Sequence, residues 1–243
     1  MATANIGIIG DFNPLFEAHR VVNNTLRNAS AQLNMLVKFD WLPSQLFANA
    51  VNAKNIIGMY NGFWCSPGSP YVNYKAVLQA VQFIRGDNLP LFGTCAGCQH
   101  ILLEFIQNVV GEKDAISDQY HENEVTSITN YPIAKKISVI SKIACPIVGK
   151  KLEVKLLHSS RAARLYNSTT ALEQYYCTFG LRPEYNAIIE EHGGVIAGTD
   201  DTGEVRLFEL PSNKFYMATL FVPQVANDIH PLIKEFLITS ANA

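Results

Sequence analysis

Cysteine is the residue type in this 243-residue chain with the most chemistry to offer, and of the five at 65, 95, 98, 145 and 177, Cys95 stands apart by its surroundings. It lies in Leu89-Pro90-Leu91-Phe92-Gly93-Thr94-Cys95-Ala96-Gly97-Cys98-Gln99-His100, where a short apolar run meets Gly-x-Cys-x-Gly and then the helical pattern of 101–110. A strand that breaks into a helix over one or two residues holds the central side chain strained and exposed. The glycines let neighbouring backbones pass close, and the helix aims its first N–H groups and positive dipole end at the sulfur. Both effects favour thiolate over thiol, so the chemistry expected is nucleophilic attack on an electrophilic carbon. Cys95 and Cys98 also form a C-x-x-C, the spacing of a redox pair or of half a zinc site. No second Cys or His pair stands at zinc spacing, and no thioredoxin-like context precedes it. Cys145 and Cys177 read as ordinary strand cysteines, Cys145 being a minor candidate because a Cys-Pro at a strand end can lie exposed.

The elements that must hold Cys95 are legible as alternating patterns. Strands are predicted at 5–10, 35–41, 56–60 and 89–93, helices at 16–26 and 74–85, and a loop rich in turn formers at 61–70. Such alternation predicts a parallel sheet covered on both faces, with ligands beyond the carboxyl ends of its strands. Asp11, the Pro67-Gly68 loop and Cys95 would gather there. The second half changes character, with strands at 136–147 and 151–157, a hairpin over 195–208 turning at Thr202-Gly203, a buried strand at 215–221 and a closing helix at 231–241. No linker or charge run divides the halves, so one α/β domain over 1–243, a mostly parallel sheet with an antiparallel extension, is expected.

Composition narrows the classes of partner. Hydrophobic residues make up 48% of the chain and charged ones 16%, enough for a core and against disorder. Nineteen basic against twenty-one acidic side chains leave no surplus to grip nucleic acid or an anionic membrane. Residues 1–5 lack a basic stretch followed by an apolar run, and no apolar run reaches the ~18 residues a membrane span needs. A soluble cytoplasmic protein is expected, with no cofactor or metal, a small-molecule partner, and a homodimer left open.

With these pieces placed, the chain resembles the class I glutamine amidotransferases, and within them the glutaminase domain of CTP synthase, over nearly its whole length. Its first strand, Cys65-Ser66-Pro67-Gly68-Ser69, and Gly93-Thr94-Cys95-Ala96-Gly97-Cys98-Gln99 correspond in order to the family's first strand, oxyanion loop and nucleophile elbow. Glu190-Glu191-His192-Gly193-Gly194-Val195-Ile196-Ala197-Gly198 and the segment 208–224 look like its final hairpin and triad strand. The chain looks most like the stand-alone CTP-synthase-like proteins, which carry no ATP-dependent synthetase domain. The resemblance implies a flavodoxin-like three-layer α/β/α fold. It also implies that Cys95 attacks an amide carbonyl while the N–H groups of Gly68 and Ala96 stabilise the oxyanion. Gln99, with Ser69 and Thr178, takes the part of substrate contacts, and Glu122 or Glu124 lies where the family binds the substrate's amino group.

Two departures shape the functional expectation. The family's triad strand ends in Phe-His-Pro-Glu, and here the residues are Phe221-Val222-Pro223-Gln224, neither of which does acid–base work. The family's Arg- and His-rich segment is neutral and aromatic at Glu173-Gln174-Tyr175-Tyr176-Cys177-Thr178-Phe179-Gly180, leaving a glutamine carboxylate without its bidentate partner unless Arg161 or Arg164 substitutes. The proton carrier is then expected to be His121, beside Glu122 and Glu124; His158 and His100 are weaker candidates, and a carboxylate partnering the thiol is the other option. His230, before Pro231, reads as a helix cap. The expectation is a cysteine hydrolase acting on an amide, nitrile or related C–N bond, with free glutamine disfavoured. The alternatives are a non-catalytic small-molecule-binding protein and a glutaminase subunit supplying ammonia to a synthetase partner.

Overall fold

The computed structural model describes residues 2–121, 137–143 and 147–243, with His121 described by its backbone alone. In chain order the strands are β1 (Thr3–Ile9), β2 (Leu36–Leu42), β3 (Gly62–Cys65), β4 (Leu91–Thr94), β5 (Ala115–Ser117), β6 (Ile137–Lys142), β7 (Lys151–Leu156), β8 (Thr170–Gln174), β9 (Phe179–Leu181), β10 (Val195–Thr199), β11 (Val205–Glu209) and β12 (Tyr216–Thr219). The helices are α1 (Glu17–Gln32), α2 (Ala50–Ile57), α3 (Tyr74–Gly86), α4 (Ala96–Phe105), α5 (Asp118–His121), α6 (Arg161–Tyr166), α7 (Asn186–Glu191) and α8 (Pro231–Ala241).

One sheet runs β2-β1-β3-β4-β12-β11-β10-β7-β8, and β5-β6-β9 form a second, smaller one. From β2 to β12 every neighbour pairs in parallel, and from β12 to β8 every neighbour is antiparallel. The expected parallel sheet with an antiparallel extension is therefore present, and β12 is the strand at which one half gives way to the other. Alternation along the strands feeds two core layers. Ile9, Phe63, Cys65 and Leu91 face α2, α3 and α4, while Ile8, Trp64 and Phe92 face α1 and α8. Parallel strands buried on both sides read as continuous apolar runs, as these do.

Most elements fall where the sequence pattern puts them, and the closing helix matches residue for residue. The strand expected at 56–60 is instead the end of α2 and the turn after it. Asn49 caps that helix by accepting from the N–H groups of Val51 and Asn52, and Ala53 and Ile57, four residues apart, bury the same face. An apolar pair alone does not distinguish the two structures; the cap does.

Candidate active site

Cys95 stands between β4 and α4 with φ 51° and ψ −109°, a backbone conformation that costs an ordinary residue roughly 1–3 kcal/mol. Three contacts hold it there. Its N–H donates to the Thr219 carbonyl of β12 at 2.8 Å, its own carbonyl accepts from the Gln99 N–H at 3.3 Å, and α4 lies hard against β3. That last approach needs a glycine, because a Cβ on Gly97 would sit 2.1 Å from the Cys65 carbonyl oxygen. The elbow predicted from Gly-x-Cys-x-Gly is therefore present, strained and pinned from two sides.

The sulfur is half-buried and surrounded by donors. Cys95 is held below the usual thiol range, first by the Cys177 S–H that it accepts and then, against the opposing effect of burial, by the backbone N–H groups of Ala96 and Gly68. These donors shift the balance of Cys95 toward its thiolate. Gly68, in the loop after β3, and Ala96, the first residue of α4, both expected as oxyanion donors, thus donate toward the Cys95 sulfur.

Gly68 is positioned by a residue that the sequence reading did not single out. His19, on α1, is buried between Phe12, Phe16 and Trp41. Its Nδ1 accepts from the Asn13 N–H at 3.0 Å, so Nε2 carries the proton and donates to the Pro67 carbonyl at 2.9 Å. That carbonyl and the Gly68 N–H belong to one peptide plane and point opposite ways. Fixing the first aims the second at Cys95. Burial holds the His19 pKa below its usual value, which keeps the tautomer neutral and its two hydrogen bonds compatible.

Cys177 is the larger surprise. Expected as an ordinary strand cysteine, it lies in the connection between β8 and β9, outside any strand, with its Sγ donating to the Leu220 carbonyl at 3.2 Å and its thiol against Cys95. Burial and the neighbouring Cys95 raise its own pKa well above the ordinary thiol range. Ionising one sulfur therefore disfavours ionising the other. No local pattern could have signalled this, because the partners are 82 positions apart in sequence and only the sheet topology brings them together. Cys98, the C-x-x-C partner, instead packs in the opposite core layer with Cys65 and Ile101, and burial drives its pKa far up.

The other expected residues fall as follows. Gln99 donates through Nε2 to the Phe179 carbonyl at 2.9 Å, while its buried Oε1 has no partner and is free to accept from a ligand. The Ser69 hydroxyl accepts from Gln119 on α5, and Thr178 is exposed in the segment that follows Cys177. The Tyr120 hydroxyl accepts from the Tyr71 N–H at 3.1 Å, so α5 and the oxyanion loop are stitched together. The backbone of His121 ends that helix; its side chain, Glu122, Glu124 and Cys145 lie outside the described residues. His100 is unavailable as a base. Its Nδ1 donates to the Ala96 carbonyl, its Nε2 accepts from the Tyr120 hydroxyl, and burial lowers its pKa to about 4. His158 shares an exposed surface pocket with Arg164 and Asn167, and Arg161 pairs with Glu235, which leaves neither arginine at the elbow. His230 accepts from the Leu232 N–H and caps α8, as expected. Asp11 accepts from the Ser44 and Val72 N–H groups, a structural tie at the carboxyl edge of the sheet.

Val222 and Gln224, which follow β12 and were expected at the triad positions, are both buried. Neither side-chain amide atom of Gln224 has a hydrogen-bond partner among the described residues. Both residues line a pocket of about 370 Å³, otherwise walled mainly by Leu15, Phe16, Ala18, Val21 and Tyr176. Among the described residues no group of three or more metal-ligating side chains comes together, and no helix is long and apolar enough to cross a membrane.

Comparison with known proteins places this architecture. A CTP synthase of Saccharolobus solfataricus is 26% identical over 223 residues, which cover 91% of this chain and 41% of that protein. A CTP synthase of Staphylococcus saprophyticus is 27% identical over 246 residues, 98% of this chain and 44% of that one. The chain thus spans less than half the length of these relatives. The glutaminase domain of the Trypanosoma brucei CTP synthase, solved with bound acivicin, superposes with a TM-score of 0.85 at 20% identity, covering 98% of this chain and 94% of that one. A glutamine amidotransferase of Thermotoga maritima superposes with a TM-score of 0.54 at 14% identity, over 98% and 96%. The family model for glutamine amidotransferase class-I matches residues 15–170, from the start of α1 through the oxyanion loop and elbow, and the chain belongs to that family.

Proposed function

We propose that the chain is a cysteine hydrolase that attacks the carbon of an amide or related C–N bond with the Cys95 thiolate. The observation that carries this reading is the convergence of two backbone N–H groups and one S–H on a sulfur in a strained elbow. Such an arrangement stabilises negative charge, first on sulfur and then, through Gly68 and Ala96, on the oxygen or nitrogen of the attacked group. The lowered thiol pKa eases loss of the Cys95 proton before attack. The step that suffers from Val222 and Gln224 is protonation of the departing nitrogen, which a triad histidine would supply. His121 is the proposed proton carrier, with Glu122 orienting it; the ties from Gln119 to Ser69 and from Tyr71 to Tyr120 hold the helix that ends at His121 beside the Pro67-Gly68 loop. Gln99, Ser69, Thr178 and Glu124 are the proposed substrate contacts. No arginine lies within 173–180, which argues for a substrate without glutamine's free carboxylate, including nitriles, whose first step expels no nitrogen.

A second reading, a binding protein without turnover, is favoured by one observation. Gln224 is 2% exposed with both amide atoms unpaired beside an apolar pocket, which suits a ligand carrying an amide-like edge. Iodoacetamide kinetics across pH, with ammonia release from glutamine, simple amides and nitriles by wild type, Cys95→Ala and His121→Ala, separates the two. The hydrolase reading expects fast labelling at neutral pH and ammonia release that disappears in Cys95→Ala. Labelling at the rate of a model thiol, with no Cys95-dependent release from any of these compounds, would sink it.

A further inference from the structure

We infer that Cys95 and Cys177 form a reversible disulfide driven by hydroperoxides, which makes this pair an oxidative modification site that closes over the nucleophile. The two cysteines are anchored independently to consecutive residues: Cys95 through its N–H on the Thr219 carbonyl, Cys177 through its Sγ on the Leu220 carbonyl. Both pack on the same side of the sheet, with Tyr175, Leu220 and Phe221, whereas Cys98 faces the other core layer. Cys65 is likewise on that other side. Among the described cysteines, Cys177 alone meets the nucleophile from its own layer.

The chemistry balances in two steps. The Cys95 thiolate attacks one oxygen of a hydroperoxide; an S–O bond forms, the O–O bond breaks, and the alkoxide or hydroxide leaves and takes a proton from solvent. Sulfur is oxidised to sulfenic acid and the peroxide is reduced. Cys177 then attacks that sulfur; the S–S bond forms, the S–O bond breaks, and the hydroxyl leaves as water with the Cys177 proton. An exogenous dithiol reverses the product by exchange, oxidising itself and returning both thiols. Cys177 has a single S–H and two acceptors, the Leu220 carbonyl and the Cys95 sulfur, so its sulfur is already a neighbour of the one it would attack. The step matters because a sulfenic acid left without a nearby thiol proceeds to sulfinic acid, which a dithiol does not reverse. This inference shares its thiolate with the proposed hydrolysis but not its substrate.

The test treats the purified chain with a small excess of hydrogen peroxide, then measures intact mass, Cys95 alkylation and, after unreduced digestion, the linked peptides. Wild type is expected to lose two hydrogens, to stop alkylating at Cys95, and to recover fully with dithiothreitol. The Cys95–Cys177 link should persist in Cys98→Ser and vanish in Cys177→Ser, where alkylation recovers at least several-fold less completely than in wild type. The linked peptide in wild type needs no variant, so misfolding of Cys177→Ser leaves the test intact. A link from Cys95 to Cys98, or equal recovery in wild type and Cys177→Ser, overturns the inference. Both results are independent of whether ammonia is released from any amide, so the failure of one reading is not the failure of the other.

Discussion

Replacing Gly68 by alanine should disarm Cys95 while leaving Cys95 itself untouched, and a second glycine in the same chain serves as the control. Gly68 has φ +89° and Gly111 has φ +97°, so a side chain at either strains the backbone similarly, by about 1–2 kcal/mol. They differ in what the new methyl group meets. At Gly111 nothing lies within 4 Å, whereas at Gly68 the Cβ would stand 2.8 Å from His19 Nε2 and 3.5 Å from a Phe16 ring carbon. His19 has no room to yield, because both ring nitrogens are engaged, at 3.0 Å and 2.9 Å. Relieving the overlap breaks at least one buried hydrogen bond, which adds roughly 1–3 kcal/mol. Gly68→Ala should therefore cost about 2–5 kcal/mol in urea unfolding, against about 1–2 for Gly111→Ala. The same displacement turns the Gly68 N–H away from the sulfur, so the Cys95 pKa rises; one unit of rise is about a tenfold loss of thiolate. Iodoacetamide labelling at neutral pH should slow by that order in Gly68→Ala and stay unchanged in Gly111→Ala. Equal unfolding costs and equal labelling rates for the two variants would refute the clamp from His19 through Pro67 to Gly68.

Other consequences are open to simple measurement. Burial lowers the pKa of His100 from 6.5 to about 4 and that of His19 in the same direction, so both are neutral in the fold and the unfolded chain takes up protons first. Stability is then full above about pH 6.5 and falls as pH drops toward 4, His100 alone accounting for about 3 kcal/mol; urea midpoints that do not move over this window in wild type would contradict it. Arg85→Met strands Glu104, whose side chain is fully buried and which accepts from the guanidinium at 2.7 Å and 3.0 Å. The expected loss is about 3–5 kcal/mol by chemical denaturation, and adding Glu104→Leu should recover most of it. Gln224→Leu removes one desolvated amide whose two polar atoms are unpaired among the described residues, and should stabilise the ligand-free chain by about 1–2 kcal/mol in thermal melts, where a lowered melting temperature would show that the amide is satisfied in solution.

The parallel half of the sheet could be read directly, because 5–10 and 89–93 are apolar runs of strands paired on both sides, and 35–41 alternates as an edge strand with one buried face. The elbow was legible for the same reason: Gly-x-Cys-x-Gly needs a strand before it and a helix after it, and both patterns are local. Residues 56–60 misled because their apolar side chains also fit a strand core, and only the Asn49 cap decides for α2. The short α6, β8 and α7 carry too few turns of pattern to show themselves. What the sequence hid at the site were contacts made across topology. His19 on α1 grips the loop after β3, and Cys177 reaches Cys95 over the end of β12. Neither has a neighbour in sequence that hints at its partner; a lone buried histidine and a cysteine between two short strands look the same whether or not they touch a nucleophile.

The hydrogen bond from Cys95 to Thr219 ties an elbow at position 95 to the strand where the sheet reverses its sense. Until β12 has slid in beside β4, residue 95 is an ordinary thiol on a loose loop, with neither Cys177 nor a pinned backbone to favour its ionised form. Its reactivity is thus a late reporter of assembly, and a pulse of alkylating agent during refolding would time the moment at which the last strand of the parallel half locks into place.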